Sequence, residues 1–178
     1  MVSKPFFLPK YRRTLKLLNM KATLKVSDII AVIDTREQTP LDLSPLRTVR
    51  GTLTTGDYSL VHLTKEVSIE RKSLPDLLGA VGTERKRFDA EMKRLLAYPS
   101  RLLVIEASQK DLEAGEWRSK LLPAHVIGAL AGWQEMGIPI SLAGDRAGAS
   151  KVVFNHLRLA ALRRWGELRA FFNEMEKL

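Results

Sequence analysis

The chain of 178 residues has no cysteine and only three histidines, at positions 62, 125 and 156. The lack of cysteine excludes disulfide bonds and thiolate metal sites, and the isolated histidines argue against a zinc-type cluster. A metal ion would therefore have to be held by oxygen atoms. No apolar run approaches the roughly 20 residues needed to span a bilayer, and no secretory signal is visible at the N-terminus. These absences favour an intracellular protein without membrane contact.

Acidic residues are also in the minority. The chain has 29 lysines and arginines against 20 aspartates and glutamates, which gives a formal net charge of +9 and a pI near 10.0. Such a charge favours an anionic partner, above all nucleic acid. Every charged side chain within residues 1–25 is basic, so this segment can neutralise phosphates. A tail that only aids solubility is the alternative.

Short apolar or β-branched segments alternate with longer amphipathic ones. Strands are predicted at residues 29–33, 48–53, 58–63, 67–72, 101–106 and 137–141. Helices are predicted from Ser73 onward, over residues 83–98 and 123–136, and from residue 151 to the end, with a turn of helix or a loop at residues 108–120. This order predicts an α/β protein, a three-layer sandwich with a central mixed sheet flanked by helices.

The most informative feature is a pair of carboxylates, Asp57 and Glu70, followed by Lys72. Side chains alternate between the faces of a strand, so Glu70 and Lys72 project together. Asp57 begins the preceding strand and comes alongside them if the two strands form a hairpin. Two carboxylates can hold a hard cation such as Mg²⁺, which takes one or two carboxylates plus water and phosphate oxygens. The pattern predicts metal-assisted cleavage of a phosphodiester, with Lys72 beside the attacking water or the developing charge.

Further charged residues accompany this set. Asp34 and Glu37 follow the first strand, at the edge where active sites of α/β sheets gather. Arg36 and Arg71 are expected to fork onto phosphates, because a guanidinium matches two oxygens at once. Asp76 and Glu37 are candidates for a second ion or for support of the ligands. The competing interpretation is structural: a solvated strand end, an aspartate at a helix start and a glutamate paired with a nearby arginine.

Several motifs occur in a recognisable order. They are VIDTRE at residues 32–37, Gly56-Asp57-Tyr58, and IERKSLPDLLG at residues 69–79. Together they closely resemble the nuclease domain of the XPF/Hef family of structure-selective DNA endonucleases, whose signature is Gly-Asp followed by Glu-Arg-Lys-x-x-x-Asp. The resemblance continues through residues 85–88 and 103–106, and covers roughly residues 29–142. It implies a restriction-endonuclease-like core.

The resemblance also implies a role for each matching residue. The implied metal ligands are Asp57, Glu70 and Asp34, and the implied cofactor is Mg²⁺, with Mn²⁺ as a substitute. Residues implied in catalysis are Asp57, Glu70, Lys72, Arg71, Asp76 and Glu37. Those implied in DNA binding are Arg36, Arg85 and Arg87. Family members cut one strand near a junction of double- and single-stranded DNA, and the intact signature argues against the non-catalytic partners that the family also contains.

Three parts of the chain are expected. They are a basic N-terminal segment at residues 1–27, an XPF-type nuclease core at residues 28–145, and an arginine-rich helix at residues 146–178 that packs on the core or extends it. The family's usual helix-hairpin-helix domain has no room here, so one of the basic ends is expected to take its place. A homodimer and an unrelated partner subunit both stay open. The compact form suits a prokaryotic or phage enzyme, which would be cytoplasmic.

The leading hypothesis is a metal-dependent DNA endonuclease selective for branched, flap or fork DNA in repair or recombination. A non-catalytic module that binds branched DNA and recruits another nuclease is the alternative. An RNA-processing protein is a third, because positive charge does not distinguish RNA from DNA.

Overall fold

The computed structural model describes residues 23–177. Its centre is one six-stranded sheet in the order β2-β1-β3-β4-β5-β6. The strands are β1 (Ile30–Asp34), β2 (Arg47–Gly51), β3 (Tyr58–Leu60), β4 (Val67–Ser73), β5 (Ser100–Glu106) and β6 (Ile140–Leu142). The only strand that runs against its neighbours in this sheet is β3, which is antiparallel to both β1 and β4.

This strand order brings distant segments to one edge. Because β1, β4 and β5 point the same way, their carboxyl ends meet, and the reversed strand β3 begins there. The residues at that edge are Asp34 on β1, Asp57 just before β3, Glu70 to Ser73 on β4 and Glu106 on β5. Active sites of open α/β sheets gather at this kind of edge.

Helices cover both faces of the sheet. They are α1 (Leu74–Val81), α2 (Arg85–Leu95), α3 (Gln109–Ala114), α4 (Pro123–Glu135) and α5 (Arg146–Lys177), and a short 3₁₀ turn (Val26–Asp28) precedes β1. On one face, Val153 and Leu157 of α5 join a core with Ile69 and Val104. On the other face, Leu77, Phe88, Met92, Val126 and Trp133 of α1, α2 and α4 pack with Leu103 and Ile105. The predicted three-layer sandwich is confirmed.

The chain passes from β4 into α1 without a loop. Ser73 ends the strand in extended backbone and accepts a hydrogen bond from the Asp76 N–H through its side chain, as an N-cap does. Pro75 lies in the first turn, where its missing N–H costs nothing. Lys72 is therefore held at a fixed distance from a helix start.

The predicted boundaries differ at several places. β3 ends at Leu60, three residues early, because the chain turns at His62, whose φ is 66°. α5 begins at Arg146, five residues before the predicted start. Residues 1–22 of the predicted basic N-terminal segment lie outside the described residues, and the three-part division of the chain stays a prediction. Within residues 23–177, no helix has both the length and the apolar character needed to cross a membrane.

Candidate active site

Asp57 is fixed by the backbone on both sides. Its N–H donates to the Ile69 carbonyl, and its own carbonyl accepts from the Asp34 N–H, each at 2.8 Å. One carboxylate oxygen, Oδ2, accepts a 2.8 Å hydrogen bond from the Arg71 N–H. The predicted hairpin between β3 and β4 is present, and it places Asp57 level with the end of β4.

Gly56 makes this close approach feasible. Its φ is +78°, a left-handed conformation that glycine adopts readily. A Cβ at this position would lie 2.4 Å from Ser68 Oγ and 2.9 Å from the Ile69 carbonyl oxygen. Glycine is therefore required before Asp57 for a steric reason, because only a residue without a side chain lets Asp57 lie against β4.

Glu70 and Lys72 share the face of β4 that looks toward α2. Glu70 is 2% exposed, and its Oε1 lies 2.5 Å from Lys72 Nζ. The same Nζ stands 4.9 Å from the centroid of the Phe88 ring. The second oxygen of Glu70, Oε2, is buried and has no hydrogen-bond partner. A buried carboxylate oxygen without a partner is costly unless a cation or water binds it.

Burial disfavours the charged form of both carboxylates. Burial raises the pKa of Asp57 to about 6, against the effect of the Arg71 N–H and of Lys72. Burial and the charge of Asp57 raise the pKa of Glu70 well above its usual range, although Lys72 opposes them. Burial alone would lower the pKa of Lys72, but the charge and hydrogen bond of Glu70 outweigh it, so the ammonium stays charged. One ammonium does not balance the pair, so the site attracts a further cation.

The donor set fits the magnesium or manganese ion that the sequence resemblance implies. The free oxygen of Glu70 and the carboxylate of Asp57 are hard ligands at the same edge. Within the described part of the chain, no group of three or more acidic or histidine side chains is arranged to hold a metal ion. An ion here would rest on two protein carboxylates, with water and phosphate oxygens completing its shell, which magnesium accepts.

Asp34, predicted as a third ligand, is occupied by other partners. It is 1% exposed, and its Oδ1 accepts from the backbone N–H and Nε of Arg36, at 2.8 and 2.7 Å. Its Oδ2 accepts from the Leu53 N–H at 2.6 Å and from Arg36 Nη2 at 3.2 Å. These bonds lower its pKa in spite of burial. The carboxylate therefore fixes the loop that leads to Gly56, and the structure does not bring it into the ligand pair.

Arg71 and Glu37 lie on the opposite face of the sheet. The Arg71 side chain is 9% exposed, and its Nε donates to Glu106 Oε1 at 2.8 Å. Its Nη1 lies 3.2 Å from Glu37 Oε2. Arg146 at the start of α5 approaches Glu106 at 3.6 Å and donates to the Thr39 carbonyl at 2.7 Å. Arg71 was predicted to fork onto phosphates, but in the structure its guanidinium bridges two carboxylates of the protein.

Two of the predicted site residues, Asp76 and Arg36, are exposed to solvent. Asp76 accepts a 2.6 Å hydrogen bond from Ser73 Oγ at the start of α1. The Arg36 side chain is 68% exposed, with its head group turned to Asp34. Both positions are open to solvent, so neither is excluded from contact with a long substrate.

Arg85 and Arg87 open α2 in different settings. Arg85 donates through Nε to both carboxylate oxygens of Asp89, at 2.9 and 3.0 Å, and its guanidinium carbon lies 5.1 Å from the Trp133 ring centroid. Arg87 is 64% exposed and pairs with Glu84. Arg87 is therefore the more accessible of the two to phosphate.

Two acids near the site were not predicted. Besides burial, which has the largest effect, the charge of Glu91 on α2 contributes to the raised pKa values of both Asp57 and Glu70. Glu91 lies three residues after Phe88, so it is a charge on the buried side of an amphipathic helix. This position is the sequence feature from which its place near the site could have been predicted. Glu106 is a charge at the end of the buried strand β5, the same pattern that drew attention to Asp34.

These features define the class of the protein. A mixed sheet between helical layers, with two carboxylates and a lysine at one edge, is a restriction-endonuclease-like domain. The model of the ERCC4 domain family matches residues 33–155, which is more than half of the chain. The chain belongs to the ERCC4 domain family, and the expected XPF-type nuclease domain is confirmed.

Solved structures agree with this assignment. XPF from Aeropyrum pernix is similar with a TM-score of 0.60 and 21% identity, over 80% of this chain and 69% of that one. XPF from Aeropyrum pernix in complex with DNA is similar with a TM-score of 0.59 and 20% identity, over 75% of this chain and 65% of that one. The chain thus spans slightly less than two thirds of the DNA-bound relative. At these identities the likeness shows the fold. No curated protein matches the chain.

Proposed function

We propose that the chain is a metal-dependent DNA endonuclease that hydrolyses phosphodiester bonds at branched, flap or fork DNA. One observation carries the proposal: the buried, unpartnered Oε2 of Glu70 lies in a site where burial raises the pKa of both Asp57 and Glu70, and the charge of Asp57 raises that of Glu70 further. Folding gains nothing from such a pair. A pair held in place by Gly56 and by the Arg71 N–H is best explained by a cation that binds in function.

Asp57 and Glu70 would hold the ion, which we expect to be magnesium, with manganese as a substitute. When bound, the ion polarises the scissile phosphate and makes a coordinated water acidic enough to attack. Asp57 presents its carboxylate at a fixed angle, since Oδ2 is tied to the backbone of β4. Glu70 presents Oε2 while Oε1 remains on Lys72.

Lys72 is proposed to stabilise charge on the phosphoryl oxygens. Its ammonium has three N–H groups, and the hydrogen bond to Glu70 uses one of them. The Phe88 ring confines the ammonium on one side. Lys72 therefore faces the substrate already charged and already in position, which is how a preorganised donor lowers a barrier.

Arg71 and Glu37 would act as positioning residues. The Arg71 side chain holds the end of β4 against β5, and the backbone N–H of the same residue holds Asp57. Asp34 would act in the same way on the loop before Gly56. Arg36, Arg87 and the less accessible Arg85 remain the proposed contacts to phosphate.

DNA is proposed as the substrate because of the net charge of +9, the membership of the ERCC4 domain family and the similarity to an XPF that was solved in complex with DNA. A role in repair or recombination and an intracellular location follow if that substrate is correct. A homodimer or an unrelated partner subunit also stays a prediction.

The test is a panel of labelled substrates: duplex, single strand, splayed arm, flap and nicked fork, each as DNA and RNA, with and without magnesium or manganese. We expect cutting of branched DNA, with the rate reduced at least about 100-fold in Asp57→Asn and Glu70→Gln, since even outer-shell changes at metal sites cost 10–100-fold. Glu135→Gln, at an exposed acid of α4, is the matched control and should cut normally.

The competing functions appear in the same panel. Tight binding of branched DNA that leaves it uncut with either ion would indicate the recruiting module. Preferential cutting of the RNA versions would indicate RNA processing. Equal cutting by wild type and both acid variants would remove the site from the proposal.

A further inference from the structure

A groove of about 940 Å³ runs along the exposed side of α1. We call it the α1 groove; Leu78 and Gly79 line it on α1, and Trp117, Arg118, Lys120 and His125 line it opposite. α1 is eight residues long, so the groove extends for about 12 Å at 1.5 Å per residue.

The α1 groove begins beside the candidate active site. Leu74 and Pro75 line it, and they follow Lys72 and Ser73 directly in the chain. A polymer that leaves the site along α1 would enter this groove without crossing another element. The groove therefore starts at the end of α1 that adjoins the proposed site.

Gly79 leaves room for a ligand in the α1 groove because it has no side chain. It lies inside α1, where glycine is among the least favourable residues for helix stability. Packing does not require glycine there, because a Cβ would meet no atom within 4 Å. A glycine that no neighbour requires, on the floor of a groove, suits the close approach of a ligand.

The opposite wall has the chemistry of a nucleic-acid contact. Arg118 and Lys120 are exposed, and within the described chain neither has an acidic partner within 4 Å. Trp117, which lies just before Arg118 in the chain, is half-buried. Its Nε1 donates a hydrogen bond to the Leu121 carbonyl at 2.8 Å, which fixes the position of the ring. Glu116 is the single acid of the loop at residues 115–122. Cations beside a fixed indole ring suit a strand with exposed bases, which stack on aromatic rings.

We propose that the α1 groove binds a single-stranded arm of the DNA substrate. The inference rests on the proposed nuclease function and deepens it, because it assigns recognition of the unpaired strand to this domain. Duplex DNA does not fit, since its bases are not available for stacking on Trp117. The single strand would run along α1 away from Lys72, with its phosphates toward Arg118 and Lys120.

The first test fills the groove without changing its charge. Gly79→Gln adds a long side chain and improves the helix propensity of α1, so its thermal midpoint should not fall. Gly166→Gln on α5 is the matched control, because a Cβ there also meets nothing within 4 Å. Binding of a fluorescein-labelled oligo-dT is measured by anisotropy in EDTA. We expect Gly79→Gln to weaken binding at least about 5-fold, the lower limit for losing one stacked base, and Gly166→Gln to bind as wild type.

The second test removes charge. Arg118→Gln with Lys120→Gln should reduce the slope of log affinity against log salt by about 1.4, or 0.7 for each phosphate contact on a single strand. Arg47→Gln with Lys65→Gln, two exposed cations at the opposite edge of the sheet, changes the net charge equally and should leave the slope unchanged. Equal losses in both double variants would mean general attraction and would overturn the assignment, as would oligo-dT binding that Gly79→Gln leaves intact.

Cutting assays separate this inference from the proposed function. If wild type cuts splayed-arm DNA and Gly79→Gln raises the KM for that substrate but not for a nicked duplex, both stand. If wild type cuts and the groove variants behave as wild type on both substrates, the groove assignment falls alone. If no DNA is cut but Gly79→Gln loses oligo-dT binding, the groove stands as a strand-binding site and the nuclease proposal falls.

Discussion

The backbone N–H of Arg71 donates to Oδ2 of Asp57 at 2.8 Å, while the Arg71 side chain leaves the sheet on the other face. There its guanidinium bridges Glu106 and Glu37. One residue thus joins the candidate metal ligand on one face to a buried ion network on the other. Because side chains alternate along β4, Glu70 and Lys72 of the Glu-Arg-Lys motif lie at the candidate metal site, whereas Arg71 lies in the ion network on the other face.

Replacing Arg71 by methionine should cost about 3–5 kcal/mol of folding stability, because Glu37 would be left buried without its cation and Glu106 would retain only Arg146, at 3.6 Å. Burial alone would lower the pKa of Arg71, yet its two carboxylate partners raise it, so the guanidinium is charged at every relevant pH. Urea unfolding measures the change. Arg164→Met is the control, since Arg164 pairs with Glu66 and Glu167 at the surface and should cost at most about 1 kcal/mol. Similar losses in the two variants would contradict the buried-network interpretation.

The core of the site was predictable because it depends on short-range rules. A strand has a period of two, so the sequence alone places Glu70 and Lys72 on one side. The connection between β3 and β4 is short, so a hairpin is the expected pairing and brings Asp57 to Glu70. The start of α1 at Ser73 followed from its capping side chain and the proline after it.

Other assignments depend on which strands become neighbours, and local patterns do not encode that order. Arg71 meets Glu106, 35 residues away, only because β4 pairs with β5. Asp34 looks like a ligand in the sequence, but the Leu53 N–H, 19 residues further on, takes one of its oxygens. Glu91 comes near the ligands because α2 lies over the end of β4, where the Phe88 ring is 4.9 Å from Lys72 Nζ, and helical spacing alone does not show this.

Gly56→Ala should displace Asp57 and reduce cutting by about 100-fold, the effect expected of a misplacement near 1 Å. The new Cβ would lie 2.4 Å from Ser68 Oγ, and the φ of +78° adds strain of roughly 1–3 kcal/mol. Gly144→Ala is the matched control, because its φ is +80° and no atom lies within 4 Å of the Cβ. The two variants should lose similar stability from strain, and Gly56→Ala alone should lose activity in the flap assay. Full activity of Gly56→Ala would remove the steric role of this glycine.

Asp57→Asn should stabilise the metal-free protein at neutral pH. The pKa of Asp57 is raised from 3.8 to about 6 in the folded state, so the native protein binds more protons than the unfolded chain between these values. The stabilising contribution of Asp57 is therefore fully present below about pH 4 and is lost as the pH rises through about 6. Asparagine retains an oxygen for the Arg71 N–H but has no charge, so it avoids that loss.

The gain from Asp57→Asn should grow from near zero at pH 4 to about 2–3 kcal/mol above pH 6, at 1.36 kcal/mol per pKa unit. For a chain of 178 residues this corresponds to roughly 4–12 °C in thermal midpoint. Magnesium should raise the midpoint of wild type at neutral pH and leave that of Asp57→Asn unchanged. If Asp57→Asn is less stable than wild type in EDTA at pH 7.5, then the charge of Asp57 does not destabilise the folded protein, and the prediction is wrong.

Glu91→Gln should weaken metal binding without removing activity. The charge of Glu91 reaches Asp57, Glu70 and Lys72, so it contributes to the negative potential that attracts a cation. A charge that acts from beyond direct contact contributes on the order of 1 kcal/mol at the effective dielectric of a protein site, which is about 5-fold in affinity. The magnesium concentration for half-maximal cutting should rise by about that factor while the maximal rate stays near wild type. Glu113→Gln on α3 removes an exposed charge elsewhere and should change neither value. A fall in the maximal rate at saturating magnesium would instead make Glu91 a participant in the chemistry.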